Sequence, residues 1–444
     1  MSFSLPYSFK RRYLTGIDWI VGALDRSAHK AIGLGGFSQA IIELDGLVDE
    51  NALRAALDQV CRRIPLIHGR VARDWLNLAP YWKSLPNADV PQVPLRVVEL
   101  PEERAGDAER LFDEHVNVPF QSRWQHLRCL LVHVGGRRSR LGLLFDHRLL
   151  DAFGAEAIFR LIDLAWRGQL DEIVPRIRQT EPAHLDHWRR RLTSGQTLNR
   201  YLHRLNQRSV CGLKMPSPGL KRRIRFQHDS MTPEQSADFA HKAAEEIGVP
   251  IILPSAAARA IAAIRQVVPA PPLPGDQWLV FTSATNRLPG QEWEKLLFNH
   301  FALMGLSARQ DVKQSTSEIA ADLRDQFFEH MRLQIPFVMQ DAGALGRICP
   351  VWLASRMMNA LFGGRFCSLY FACLRETGFP GDSFLGLPAV GLIHKPLAFS
   401  PPGMNICMTW FANHFNLVIS YVEGVISDAS AAKLLHIFKT SLLR

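Results

Sequence analysis

The chain is poor in cysteine and has no C-x-x-C pair: Cys61, Cys129, Cys211, Cys349, Cys367, Cys373 and Cys407 are scattered over 444 residues. An odd, dispersed set in mostly apolar surroundings excludes a zinc site of that spacing and reads as reduced, buried thiols. Long hydrophobic runs are missing too. Nothing approaches the roughly 20 apolar residues of a membrane helix, and no long apolar stretch follows Lys10-Arg11-Arg12. The expectation is therefore a cytoplasmic protein with neither a secretory leader nor a membrane span. Gly33-Leu34-Gly35-Gly36 is glycine-rich, but neither G-K-[ST] nor G-x-G-x-x-G follows it, which argues against nucleotide binding. There is no low-complexity tail and no short-period repeat.

What is present is the balance of an ordinary globular protein, 47% hydrophobic and 21% charged, with room for two domains or one pseudo-duplicated one. The net charge of +10 gathers in runs such as Arg137-Arg138, Arg189-Arg190-Arg191 and Lys221-Arg222-Arg223. Such runs attract phosphorylated cofactors, acidic carrier proteins or nucleic acid, or simply coat a solvated face. Only the arginine runs with Trp188 suggest nucleic acid, and the expectation is that none binds.

Periodicity predicts mixed strands and helices in two similar halves. In the first, Ala40–Leu44 reads as a strand, and Leu53, Leu57, Val60 and Ile64 mark a helix capped by Asp49 and ended by Pro65. Leu95–Leu100 is a strand and Ala105–His115 an amphipathic helix. Leu127–Val134 and Leu141–Phe145 form a strand pair turned at Gly135-Gly136, with a helix after it up to Gly168. A Pro- and Gly-punctuated stretch marks a boundary, giving halves 1–208 and 223–444 joined by a linker 209–222. The second half has helices after Thr232 and around Ala256–Ile264, a strand Trp278–Ser283, a hairpin of Asn405–Phe411 with Asn416–Tyr421, and a closing helix Ala431–Leu443. The fold class expected is α/β, an α+β sandwich of two facing layers.

The most informative string is His147-Arg148-Leu149-Leu150-Asp151, directly after the apolar run Leu141–Phe145. At a strand exit and helix entry, H-x-x-x-D presents an imidazole at a cleft mouth, suited to deprotonating an alcohol or amine. Asp151 suits orienting that imidazole, as carboxylates do in triads, or capping the helix that follows. Asp146, its neighbour on an extended segment, points the other way and suits a loop hydrogen bond. His184 and His187, at i and i+3 on a presumed helix, lack a third ligand nearby, so no metal is expected. No G-x-S-x-G elbow occurs, which favours direct transfer over a covalent serine intermediate.

The chain resembles the thioester-dependent acyltransferase superfamily, which includes chloramphenicol acetyltransferase and the condensation domains of nonribosomal peptide synthesis. The residues that carry the resemblance are Leu44–Leu53 with Arg63-Ile64-Pro65-Leu66, the H-x-x-x-D of His147 to Asp151, Thr285-Asn286-Arg287, and the ending Ile406 to Arg444. Two departures stand out: the family usually shows H-H-x-x-x-D-G, and here Asp146 replaces the first His and Ala152 the Gly. Gly admits positive φ that Ala resists, which motivates an alternative, an inactive relative that binds a carrier protein or thioester. The resemblance to the acyltransferase component of 2-oxoacid dehydrogenase complexes is confined to Phe145–Asp151, and D-F-G-W-G of the plant acyltransferases is absent.

The resemblance implies two chloramphenicol-acetyltransferase-like halves in a pseudo-dimer with a channel between them. It implies an acyltransferase or condensation-type enzyme of specialised metabolism or lipid biosynthesis. An acyl group would pass from a coenzyme A or carrier-protein phosphopantetheine thioester to a small alcohol or amine, with His147 as base. No permanently bound cofactor is expected, and the chain is expected to act as a monomer. The resemblance further implies that Asp151 supports the loop by pairing with Arg287 beside Asn286. For the tetrahedral oxyanion, Ser368, Thr377 and Ser400 are the candidate donors.

Overall fold

Helices begin where the sequence places caps. Asp49 accepts hydrogen bonds from the backbone N–H groups of Asn51 and Ala52 at 2.7 and 3.1 Å, and Leu53, Leu57 and Val60 turn inward behind it. Thr232 and Gln235 form a reciprocal capping box, and that helix stops at Gly248, which is left-handed with φ 83°. The structure is a computed structural model that describes residues 11–444 apart from 77, 86–90, 178–187, 207–208, 218–219, 286, 288–292, 312, 362–366, 376 and 380. The pair His184 and His187 lies outside the described residues, as does Asn286.

In the first half β1 (Arg11–Tyr13) and α1 (Gly16–Ile32) precede β2 (Phe37–Asp45), α2 (Glu50–Arg63), β3 (Arg70–Arg73) and β4 (Pro80–Lys83). Then come β5 (Leu95–Leu100), α3 (Asp107–Val116), β6 (Leu127–Val134), β7 (Arg138–Asp146), α4 (Ala152–Trp166), α5 (Leu170–Ile173) and α6 (Trp188–Asn206). The second half opens with β8 (Ile224–Ser230), α7 (Pro233–Ile247), α8 (Leu253–Val267), β9 (Gln277–Thr285) and β10 (Phe301–Arg309). It continues with α9 (Thr316–Arg332), α10 (Ile335–Gly346), α11 (Val351–Leu361), β11 (Leu369–Leu374), β12 (Ser383–Phe384) and β13 (Leu387–Lys395). A hairpin of β14 (Met404–Phe411) and β15 (His414–Val422) and the helix α12 (Asp428–Leu443) close the chain.

Among the described residues these strands make two six-stranded sheets, in the orders β12-β13-β2-β7-β6-β5 and β10-β9-β11-β14-β15-β8, and a small sheet β1-β4-β3. The fold is mixed α/β. One exchange links the halves: β13 leaves the second and lies antiparallel beside β2 of the first. Within 209–222, Val210 is bridged to Gln277 and Gly212 to Leu273 of the second half, while Arg222 N–H donates to the Ile32 carbonyl of the first at 3.0 Å.

Alternation along β2 divides the core. Ala40 and Ile42 join Leu143, Phe145, Leu57, Ile158 and Ile162 in the core beneath α2 and α4. Ile41 joins Leu130 and Leu144 with Val280, Phe371, Ile406 and Val418, so the other face is buried with the second sheet. This leaves the end of β7 and the start of α4 facing the second half. Among the described residues no helix is long and apolar enough to cross a membrane.

Candidate active site

Strand β7 delivers Phe145, Asp146 and His147 to that boundary, and the loop turns into α4 at Asp151. His147 is fixed first by its backbone: its N–H donates to the Gly36 carbonyl at 2.9 Å, and its own carbonyl accepts from Asn299 Nδ2 at 3.0 Å. Asn299 arrives from the other half on a strained segment, because its neighbour Phe298 is buried with φ 76°. Phe298 is held there by its N–H bond to the Leu149 carbonyl at 2.7 Å and by the Arg12 guanidinium, 3.7 Å above its ring.

The Asn299 amide decides which nitrogen of His147 carries the proton. Its Nδ2 donates both to the His147 carbonyl and to Asp18 Oδ1, at 3.0 and 3.2 Å. Its Oδ1 therefore faces His147 Nδ1, 3.2 Å away, and only a protonated Nδ1 satisfies that contact. The lone pair is left on Nε2. Behind Asn299, the buried Asp18 accepts from Arg12 and from Thr15 N–H, both at 2.9 Å. Burial pushes the Asp18 carboxyl up, but Arg12 and these N–H donors outweigh it and hold it below its ordinary value.

His147 lines a cavity of about 300 Å³ walled by Phe145, Phe281, Phe301, Leu303, Tyr370 and Phe399. Its ring lies 5.8 Å from that of Phe301 and 6.0 Å from that of Phe399. Burial among these rings lowers the His147 pKa below its ordinary value, although the Asp151 carboxylate and Asn299 act against it. An imidazole kept neutral with its lone pair free is the state a base requires. Cys373 and Cys407 also line the cavity, and burial pushes the Cys373 thiol up to about 12, far from a nucleophilic thiolate.

Asp151 does several things at once. Its Oδ1 accepts from Gly154 N–H at 2.9 Å, capping α4, while Oδ2 accepts from His300 N–H at 3.0 Å. Arg287 binds both oxygens at 2.8 Å and lies under the Phe153 ring, its carbon 4.3 Å from the centroid. Burial raises the Asp151 pKa, and Arg287 more than reverses this, so the group stays ionised. Two of the expected positions, Asp151 and Arg287, are thus brought together across the halves.

Asp146 faces away from the cavity. It is fully buried and accepts from His126 at 2.9 Å and from the Arg148 backbone and guanidinium at 2.6–3.1 Å. Ala152 is the first residue of α4 and is absent from the positive-φ positions, so Gly has no conformational advantage there. The three hydroxyls considered as oxyanion donors do not line the cavity. Ser368 donates to the Cys211 carbonyl at 2.6 Å and accepts from Leu279 N–H, while Ser400 faces the Ala398 carbonyl at 3.4 Å. Thr377 donates to Glu156 at 2.5 Å. The hydroxyls that do line it belong to Ser38, Ser283, Thr285 and Tyr370.

Sequence reasoning did not find Asn299, Asp18 or Arg12. The one local signal was Thr15-Gly16-Ile17-Asp18, a capping box whose acid has an oxygen to spare. Among the described residues no cluster of three or more His, Cys, Asp or Glu side chains could hold a metal.

No family model and no curated protein matches this sequence. Solved structures do match over nearly the whole chain. The SgcC5 protein of Streptomyces globisporus aligns with TM-score 0.66 and 16% identity, covering 97% of this chain and 98% of its own. The trichothecene 15-O-acetyltransferase of Fusarium sporotrichioides aligns with TM-score 0.66 and 12% identity over 98% and 95% of the two chains. The first condensation domain of the CDA synthetase gives 0.64 and 15% over 98% and 96%. At these identities the likeness is one of fold, and the chain has the fold shared by condensation domains and this acetyltransferase.

Proposed function

We propose that the protein transfers an acyl group from a thioester to an alcohol or amine, with His147 as general base. The observation that carries this reading is the orientation of the Asn299 amide, which puts the His147 proton on Nδ1 and the lone pair on Nε2 in a cavity of aromatic walls. The acceptor's oxygen or nitrogen attacks the thioester carbonyl as Nε2 takes its proton. The tetrahedral intermediate collapses, the carbon–sulfur bond breaks, and the imidazolium returns the proton to the leaving thiolate. Ser283, on the strand paired with that of Phe301, offers a wall hydroxyl to the oxyanion. Arg287 and Asp151 hold the loop from which His147 projects. The donor we favour is coenzyme A or a carrier-protein phosphopantetheine, since the chain carries +10 and both are anionic. The fold shared with condensation domains and an acetyltransferase supports the same class.

The test is product mass spectrometry after incubating the protein with acyl-coenzyme A and acyl-carrier thioesters and pooled alcohols and amines. An ester or amide formed only with protein present is expected. Hydrolysed acyl acid alone would favour a thioesterase, and intact thioester would favour the binding-only relative.

Two predictions follow from the site. Because His147 must be neutral and its pKa lies below the ordinary 6.5, transfer is flat at neutral pH and falls only in acid, on a limb below that value. A limb above it in the kcat profile would contradict the burial argument. Asn299→Ala removes the acceptor from Nδ1 and with it an interaction that raises the His147 pKa. The expected result is a roughly tenfold lower kcat, about one hydrogen bond's worth, with KM little changed and the acidic limb moved lower. An unchanged limb with reduced kcat would mean that Asn299 serves folding alone.

A further inference from the structure

Of the polar side chains on the cavity wall that have no part in that mechanism, His394 is held by a buried carboxylate. His394 stands on β13, the strand that crosses between halves, and is buried apart from its place on the wall. Its Nε2 lies 2.5 Å from Glu156 Oε1 on α4. The other Glu156 oxygen accepts from Thr377 Oγ1 and Gly378 N–H, each at 2.5 Å. A Cβ at 378 would collide with the Phe153 carbonyl, so glycine is what lets this loop reach the carboxylate. A buried carboxylate is costly unless its oxygens are satisfied, and here both are.

The consequence falls on the far side of the ring. With a carboxylate on Nε2, that nitrogen carries a proton, and in the neutral ring the lone pair then lies on Nδ1. Nδ1 makes no hydrogen bond to any described residue and is not among the fully buried unpaired atoms. It is therefore a prepared acceptor in an aromatic wall. Its place relative to His147 follows from register: His394 lies opposite Ala40, whereas Asp146, one residue before His147, lies opposite Phe37. The two histidines are offset by four residues along the sheet direction, about 13 Å; His394 stands on β13 and His147 follows β7, the strands either side of β2. Phe399 packs 6.0 Å from the His147 ring and 5.2 Å from that of Tyr370, so the cavity wall beside His147 is aromatic.

We propose that His394, held by Glu156, recognises a hydrogen-bond donor carried at the distal end of the ligand that fills the cavity. The ligand class is an apolar chain or ring system bearing an alcohol, phenol or amine remote from the reacting carbon. His394 then sets specificity and touches none of the reacting atoms. The proposal rests on the transferase reading for its meaning, but it is tested by binding.

The probes are non-hydrolysable acyl-pantetheine amides of graded length, each made with a terminal hydroxyl and with a terminal methyl, and matched alcohols with and without a distal hydroxyl. Calorimetry on the native protein is expected to show about a tenfold preference for the hydroxyl form of the best-fitting pair. His394→Phe should erase that preference while the methyl form binds as well or better, and His394→Gln, which keeps an acceptor, should restore part of it. Since His394→Phe strands the Glu156 carboxylate, the double variant His394→Phe/Glu156→Leu gives the same reading without a stranded charge. A preference confined to the amides puts the donor on the acyl group, and one confined to the alcohols puts it on the acceptor. Equal binding of both forms by the native protein, or a preference that survives His394→Phe, overturns the proposal. Failure of transfer with the binding preference intact would overturn the transferase reading alone.

Discussion

His147→Ala lowers acyl transfer by roughly 10²–10⁴-fold, the usual contribution of a positioned base, while the protein stays folded. The two halves of that statement have separate causes. The rate falls because Nε2 is the group given to proton transfer, its proton placed on Nδ1 by the Asn299 amide. Stability changes little because the loop is held by main-chain bonds that alanine keeps: the N–H to the Gly36 carbonyl and the carbonyl to Asn299. What is lost is one side-chain hydrogen bond of 3.2 Å, about 1 kcal/mol, together with ring contacts at a cavity edge. Urea unfolding beside single-turnover transfer separates the two. A variant that keeps its rate removes His147 from the mechanism, and one that unfolds would assign the residue to the core.

Arg287→Ala should act in the opposite way, costing about 3–5 kcal/mol of stability, the usual loss when one partner of a buried ion pair is removed. The guanidinium makes two 2.8 Å bonds to Asp151, and both side chains are about 6–7% exposed. Without it the described partners left to the Asp151 carboxylate are the Gly154 and His300 N–H groups. Asp151→Asn should be similarly damaging, since the unpaired charge is then the arginine's. The double variant should recover much of the loss, and a cycle without coupling would refute the pair. The pair also sets an acid limit. The Asp151 pKa is lowered on folding, so its contribution is complete above the ordinary carboxylate range and is lost as pH falls through the folded value. Asp151→Asn should remove that part of the acid destabilisation.

The contrast between these variants shows what one chain of letters can reveal. His147 and Asp151 were legible because they are four residues apart at a strand-to-helix junction, and the caps Asp49, Asp151 and Thr232 because each acts within its own turn. Arg287 was reachable only through a resemblance, since it meets Asp151 across 136 positions. Asn299 and Asp18 meet across 281, and no local period records that. Strand β13 was missed because Pro388 and Gly391 interrupt it, while its partner β2 lies some 350 residues earlier. Thr377 looked like a free loop hydroxyl, and Glu156, the acid that takes it, sits on a helix 221 residues away. Physically, the helices and hairpins were written locally, and the cavity was written by the crossing of the two halves.

The most direct test of the whole account is acceptor-dependent release of thiol from an acyl thioester panel, with native protein and His147→Ala side by side. Release is expected to need the acceptor, to saturate with it and to disappear in the variant. Release that continues unchanged in His147→Ala, or that ignores the acceptor, would contradict it.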